Sequence, residues 1–236
     1  MTTFVLVIGA WHGGWAWNRV APLLRAHTVF TPTLTGLADR QHLASDEVNL
    51  TTHVTDIVNL IDWEDLSDVV LVGHSYSGFV VTGVATERAE KIAHLVYLDA
   101  FIPNRDGEPN RDGESFVQNM GPVAEAMVSG PDWRVPVPDP PVGDFGVEDL
   151  VDLAWIRAKM TPHPRGTMIE TVRMPRPLEE RVFKRTYVLT SDSPFFEAAA
   201  AGVRHRPEWG FCELKVGHDS MVTAPMELTQ LLLSLA

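Results

Sequence analysis

Short, nearly continuous apolar runs recur along the chain, each bounded by turn-forming residues and followed by a helix-like stretch. They occupy 4–8, 28–32, 69–72, 95–98, 186–189 and 211–216. Strands buried on both faces read this way, and a parallel sheet covered by helices on each side buries its strands so. Helical spacing is read at 15–26, 52–63, 78–89 and 225–235. The alternation predicts a three-layer α/β architecture with a mostly parallel central sheet.

The rhythm breaks in the middle of the chain. Core is expected at 1–102 and again at 184–236, with a cap or lid inserted at 103–183 over the carboxyl ends of the strands, where open α/β sheets bind ligands. Within the insertion Pro131, Pro136, Pro138, Pro140, Pro141, Gly143 and Gly146 exclude a regular helix or an interior strand. The stretch 147–160 regains helical spacing through Leu150, Leu153, Ala154 and Ile156, with Arg157 on the polar side. A hexapeptide beginning at Asn104 is repeated from Asn110. It reads as a duplicated surface turn rather than a calcium loop, which needs a longer ligand set.

Composition narrows the function classes. A net charge of −12 argues against nucleic acid or an anionic membrane surface as partner, since both recruit clustered Lys and Arg. No apolar run approaches the length of a spanning helix, and no basic-then-apolar leader opens the sequence; the expected location is cytoplasmic. With Cys212 alone, an intrachain disulfide and a multi-cysteine metal site are excluded. No Gly-x-Gly-x-x-Gly follows the first strand, which removes a dinucleotide-dependent dehydrogenase.

The strongest chemical signal is Gly73-His74-Ser75-Tyr76-Ser77-Gly78, entered from a buried strand and leaving into a helix. That context is a nucleophile elbow, a strained turn that exposes a serine. The pattern's last glycine is replaced by Ser77, with Gly78 following. A serine hydroxyl needs a base. His218, after the last strand and before the last helix, is the candidate; His74 lies in the elbow, and His27, His42, His53, His94, His163 and His205 are read in loops or helices. Two carboxylates at strand ends, Asp99 and Asp192, are each placed to orient the imidazole, and the sequence leaves the choice open. The oxyanion hole is expected from the Tyr76 amide and that of Ala10 or Trp11. Trp11, Trp15 and Trp17 either wall a pocket or pack the loop onto a helix. In the cap, Phe116, Met120, Met127, Trp133, Trp155 and Met160 are candidate apolar contacts; Trp11, Phe116, Met120 and Trp155 are the substrate-binding set.

The blocks Gly9-Ala10-Trp11-His12-Gly13-Gly14-Trp15, Leu34-Thr35-Gly36-Leu37, the elbow, and Gly217-His218-Asp219-Ser220-Met221 through Pro225 resemble, in order, the plant methylesterase and hydroxynitrile lyase family of α/β-hydrolases and its bacterial esterase relatives. The resemblance implies Ser75 and His218 as catalytic residues, an oxyanion hole from the Ala10 and Tyr76 amides, and no cofactor or metal. Three departures matter. Ile8 stands where the family has a histidine. Asp219 stands where the lyase branch has a lysine for departing cyanide, which argues against lyase chemistry. The segment carrying Asp192 is one residue shorter than in the plant pattern. Asp99 instead resembles the acid of haloalkane dehalogenases, whose carboxylate nucleophile is replaced here by Ser75.

The expected activity is hydrolysis of an ester, lactone or thioester in a small apolar substrate through an acyl-enzyme. Two alternatives stand beside it: a biosynthetic cyclisation or lactone opening without an acyl-enzyme, and a ligand receptor on the same fold. A homodimer is left open as the assembly.

Overall fold

The computed structural model describes residues 1–103, 113–140, 145–174, 183–192 and 194–236. Residues 104–112, which hold most of the repeated hexapeptide, lie outside that set. All six expected strands are present: β1 (Thr3–Val7), β2 (Thr28–Phe30), β3 (Val69–His74), β4 (Ile92–Leu98), β7 (Lys184–Thr190) and β8 (Gly210–Leu214). They form one sheet in the order β2-β1-β3-β4-β7-β8, and every pairing is parallel. Two further strands, β5 (Arg134–Val135) and β6 (His163–Pro164), form a separate antiparallel pair.

Alternation within the strands builds two cores. In β1, Val5 and Val7 join one cluster with Leu71, Leu95, Tyr97 and Tyr187. Phe4, Leu6 and Ile8 join another with Val70, Val72, Val96 and Val188. Helices α1 (Leu50–Trp63) and α2 (Ser77–Glu87) cover the first face. Helix α9 (Pro225–Ser234) covers the second with Leu228 and Leu232. Both faces are therefore apolar, and the strands read as continuous runs. The expected helix at 15–26 is instead two 3-10 turns, Gly14–Arg19 and Ala21–Leu24. Pro22 cannot donate into an α-helical ladder, and its ring would press on the carbonyl four residues back.

The middle of the chain holds α3 (Phe116–Met120), α4 (Pro122–Val128), α5 (Leu150–Arg157) and α6 (Gly166–Ile169). Helix α7 (Glu197–Val203) and the short α8 (Ser220–Thr223) belong to the final third. Asp149 starts α5 by accepting from the Val151 and Asp152 amides. Its expected core face is only partly used: Ile156 is buried, whereas Leu150 is 78% exposed. Two histidines read as loop or helix residues sit in strands. His94 lies in β4, donating from Nδ1 to the Leu235 carbonyl and meeting Thr186 Oγ1 through Nε2, both at 2.8 Å. His163 begins β6. Polar neighbours let each occupy a buried strand position that a hydrophobicity pattern alone does not assign to histidine.

Candidate active site

The site lies past the carboxyl ends of the strands, where the sheet order reverses between β1 and β3. Strand β3 delivers Ser75 with φ at +55°, a conformation costly for a residue with a Cβ. Trp11 (+64°) after β1 and Asp99 (+44°) after β4 share that strain, so three of the approaching segments bend sharply here. The turn survives because its neighbours leave room. A Cβ on Gly9 would stand 2.7 Å from Ser75 Cβ, and one on Gly78 only 1.8 Å from the Phe101 carbonyl oxygen. Gly78, rather than the pattern's usual position, is thus where the elbow needs a missing side chain. Ser77 is fully buried and donates its hydroxyl to the Ile8 carbonyl, tying the start of α2 to the end of β1.

His218 Nδ1 lies 2.7 Å from Asp99 Oδ2, and both residues are buried. The other Asp99 oxygen accepts from the Thr190 amide at 3.1 Å, and the Asp99 amide donates to the Val188 carbonyl at 2.7 Å. Asp99 is therefore fixed by β7 through both its backbone and its carboxylate. Asp192 is exposed at the cavity mouth, its amide bonded to the Val216 carbonyl. Of the two acids left open by the sequence, the structure brings Asp99 to His218.

Ser75 and His218 line one cavity of about 340 Å³ together with Ala10, Trp11, Tyr76 and Asp192. Its remaining described walls are apolar, among them Phe101, Phe116, Met120, Met127, Phe145 and Phe196. The Phe196 ring stacks on the His218 imidazole with centroids 5.1 Å apart. Of the expected substrate-binding set, Trp11, Phe116 and Met120 line the cavity and Trp155 does not. Trp155 packs edge-on against Trp15 and beneath the Arg19 guanidinium. Trp133 and Met160 are also absent from the described lining, Trp17 is wholly buried in the core, and Trp15 borders a separate open groove with Lys159. Sequence reasoning missed Phe145, Phe195 and Phe196; the first sits in a turn and the other two in the short 3-10 turn Pro194–Phe196, too short for any periodicity to mark an inward side chain.

Trp11 has a different job from the one its position suggests. Its amide donates to His163 Nδ1 at 3.3 Å, its carbonyl accepts from the Thr161 amide at 3.0 Å, and its indole Nε1 donates to the Val135 carbonyl at 3.3 Å. All three partners belong to or adjoin β5 and β6. The Trp11 amide is thus engaged, which leaves Ala10 as the remaining candidate from this loop for an oxyanion donor. Behind it, His53 donates from Nε2 to the Thr35 carbonyl (2.9 Å) and accepts at Nδ1 from the Tyr76 hydroxyl (3.1 Å). Burial holds the His53 pKa down to about 4 and that of His163 well below the ordinary histidine value, so both are neutral. Trp11→Phe keeps an aromatic ring but removes the indole donor. The expected result is a loss of about 1 kcal/mol in urea unfolding and a KM raised severalfold with kcat nearly constant; an unchanged KM would dissociate the indole bond from cavity shape.

A six-stranded parallel sheet with a strained serine after β3 and a buried His–Asp pair beyond it has the architecture of an α/β-hydrolase, and the chain belongs to that family: residues 4–230 match the pattern described as the Alpha/beta hydrolase family. A relative similar along the whole chain is the carbendazim hydrolyzing esterase of Nocardioides sp. (strain SG-4G), 37% identical and aligned over 100% of both proteins. Methylesterase 2 of Arabidopsis thaliana is 33% identical over 50% of this chain and 47% of its own length. Among solved structures, an extracellular α/β-hydrolase from a Paenibacillus species, described as sharing structural and functional homology with tobacco salicylic acid binding protein 2, superposes with a TM-score of 0.85. The match covers 100% of this chain and 99% of that one at 22% identity, a likeness of fold. Esterases thus stand among the relatives of this hydrolase-family enzyme.

Proposed function

We propose that the protein is a serine carboxylic ester hydrolase acting on a small, largely apolar ester through an acyl-enzyme. The observation that carries this reading is the 2.7 Å contact between His218 and Asp99 at the wall of the cavity that also holds Ser75. In this reading Asp99 holds the Nδ1 proton of His218, which leaves Nε2 unprotonated to take the proton of Ser75 Oγ. The alkoxide attacks the ester carbonyl, and the Ala10 and Tyr76 amides stabilise the oxyanion. Tyr76 contributes its amide from the N-cap position of α2, where the helix dipole favours negative charge. His218 returns the proton to the departing alcohol, then activates water to release the acid. The apolar walls favour an uncharged substrate, and 340 Å³ suits one of modest size. The name of the Nocardioides relative makes carbendazim a sensible first compound to try beside simple model esters.

The test is stopped-flow hydrolysis of p-nitrophenyl acetate with mass spectrometry of acid-quenched protein. A burst of about one equivalent of nitrophenolate and an acetyl group on the Ser75 peptide are expected. Steady turnover without an adduct, retained in Ser75→Ala, would sink the acyl-enzyme.

A further inference from the structure

Directly behind His218 lies a second buried acid–imidazole pair that the mechanism above does not use. His12 and Asp219 are 2% and 0% exposed, and His12 Nε2 approaches Asp219 Oδ2 to 3.2 Å. The contact is close but not aligned as a straight hydrogen bond, and neither Asp219 carboxylate oxygen has another donor among the described residues. The other His12 nitrogen, Nδ1, donates to the Ala10 carbonyl at 2.8 Å. His12 thus grips the residue whose amide is the proposed oxyanion donor, while its partner is the residue following His218.

We propose that His12 and Asp219 form a buried ion-pair strap that positions the oxyanion loop against the His218 loop and neutralises the charge beside His218. Both are positioning residues, and the inference rests on the serine-hydrolase reading. With Asp219 ionised, the two His12 nitrogens face a carbonyl oxygen at 2.8 Å and a carboxylate oxygen at 3.2 Å, neither able to donate, an environment that favours a proton on both and a cationic ring. Asp219 would otherwise be an uncompensated anion in the interior, which proteins avoid. The surrounding groups leave this assignment unopposed. Around His12 the Trp15 and Phe145 rings stand at 5.4 and 5.1 Å. Around Asp219 the titratable neighbours are His12, His74 and His218. His74 Nε2 donates to the His218 carbonyl at 3.1 Å; burial first, then the proximity of His218, holds its pKa well below the ordinary value, so it adds no charge.

The titration directions agree. Burial pulls the His12 pKa down, but the close negative charge of Asp219, helped by the bond to the Ala10 carbonyl, outweighs it and the net direction is up. Burial pushes Asp219 up, and its histidine neighbours, His12 foremost, turn the net shift down. The stabilisation from His12 is present at low pH and lost as pH rises through its raised pKa. That from Asp219 is present at high pH and lost as pH falls through its lowered one. The strap is therefore whole in the window between the two.

His12→Gln, Asp219→Asn and the double variant are compared with wild type and Ser75→Ala, using p-nitrophenyl acetate across pH. In His12→Gln, kcat is expected to fall about 10- to 100-fold with KM nearly constant, since the displaced amide matters at the transition state. The acid limb of kcat/KM moves up by about half a unit to one unit, because Asp219 now acts on His218 without its counter-ion. The double variant removes both charges and returns the limb to its wild-type position. A merely structural pair leaves the limb where it was. Independently of activity, nitrogen-15 NMR of histidine-labelled protein reports both His12 ring nitrogens protonated at about pH 7; a neutral His12 overturns the proposal even where single variants fold poorly. Wild-type kcat and an unshifted limb in folded His12→Gln also overturn it. Full activity in Ser75→Ala instead overturns the serine mechanism, and the ion pair then stands or falls on the NMR result alone.

Discussion

Asp99→Asn is expected to lower kcat for p-nitrophenyl ester hydrolysis by about 10⁴-fold while KM and circular dichroism stay near wild type. The geometry explains why a single atom is enough. Asp99 Oδ1 accepts from the Thr190 amide, so the asparagine must keep its carbonyl oxygen on that side. Its NH2 group then faces His218 Nδ1, which has to turn acceptor. The imidazole proton is driven to Nε2, the nitrogen that should receive the Ser75 proton, and the base is lost without loss of fold. Ser75→Ala is expected to remove at least about 10³-fold. Asp192→Asn, at an exposed position on the cavity mouth, is expected to change kcat by less than about tenfold. Steady-state kinetics on the three variants decide it: a large loss in Asp192→Asn with a small one in Asp99→Asn would move the acid to the end of β7.

That choice was beyond reach of the sequence for a physical reason. Each aspartate follows a buried parallel strand, and any such residue points toward the same crevice. What separates them is the Thr190 amide and the 2.7 Å reach to His218, which depend on how β4 and β7 lie side by side. The strands themselves were legible because burial on both faces writes itself as apolar runs. The elbow was legible because its glycines, serine and flanking elements are contiguous. Trp11 was only half legible: its place on the cavity wall follows from its position after β1, whereas its three hydrogen bonds to a segment more than a hundred positions later do not. Trp155 shows the converse. Helical spacing and an aromatic ring made it a cavity candidate, yet α5 turns that ring toward Trp15 and Arg19.

The departure from the elbow pattern leads to the second large effect. Gly78→Ala is expected to destabilise the protein by more than about 3 kcal/mol, lowering Tm by about 6–12 °C, and to abolish most ester hydrolysis. The added methyl would lie 1.8 Å from the Phe101 carbonyl oxygen and 3.1 Å from its amide nitrogen. Both are backbone atoms, so rotating a side chain cannot relieve the clash; α2 and the segment after Asp99 must part. That separation breaks the bond from the Phe101 amide to the Ser75 carbonyl, 3.2 Å long, and disturbs the turns that carry Asp99 and Ser75 together. Ser77→Gly provides the contrast. It restores the usual pattern but deletes the hydroxyl bond to the Ile8 carbonyl, at a cost of about 1 kcal/mol and with ester hydrolysis retained. Thermal melts and kcat measured on both variants separate the positions. A Gly78→Ala protein with wild-type Tm would mean that the close pass of α2 against Phe101 relaxes freely, and that Ser75 is held by the strand end alone.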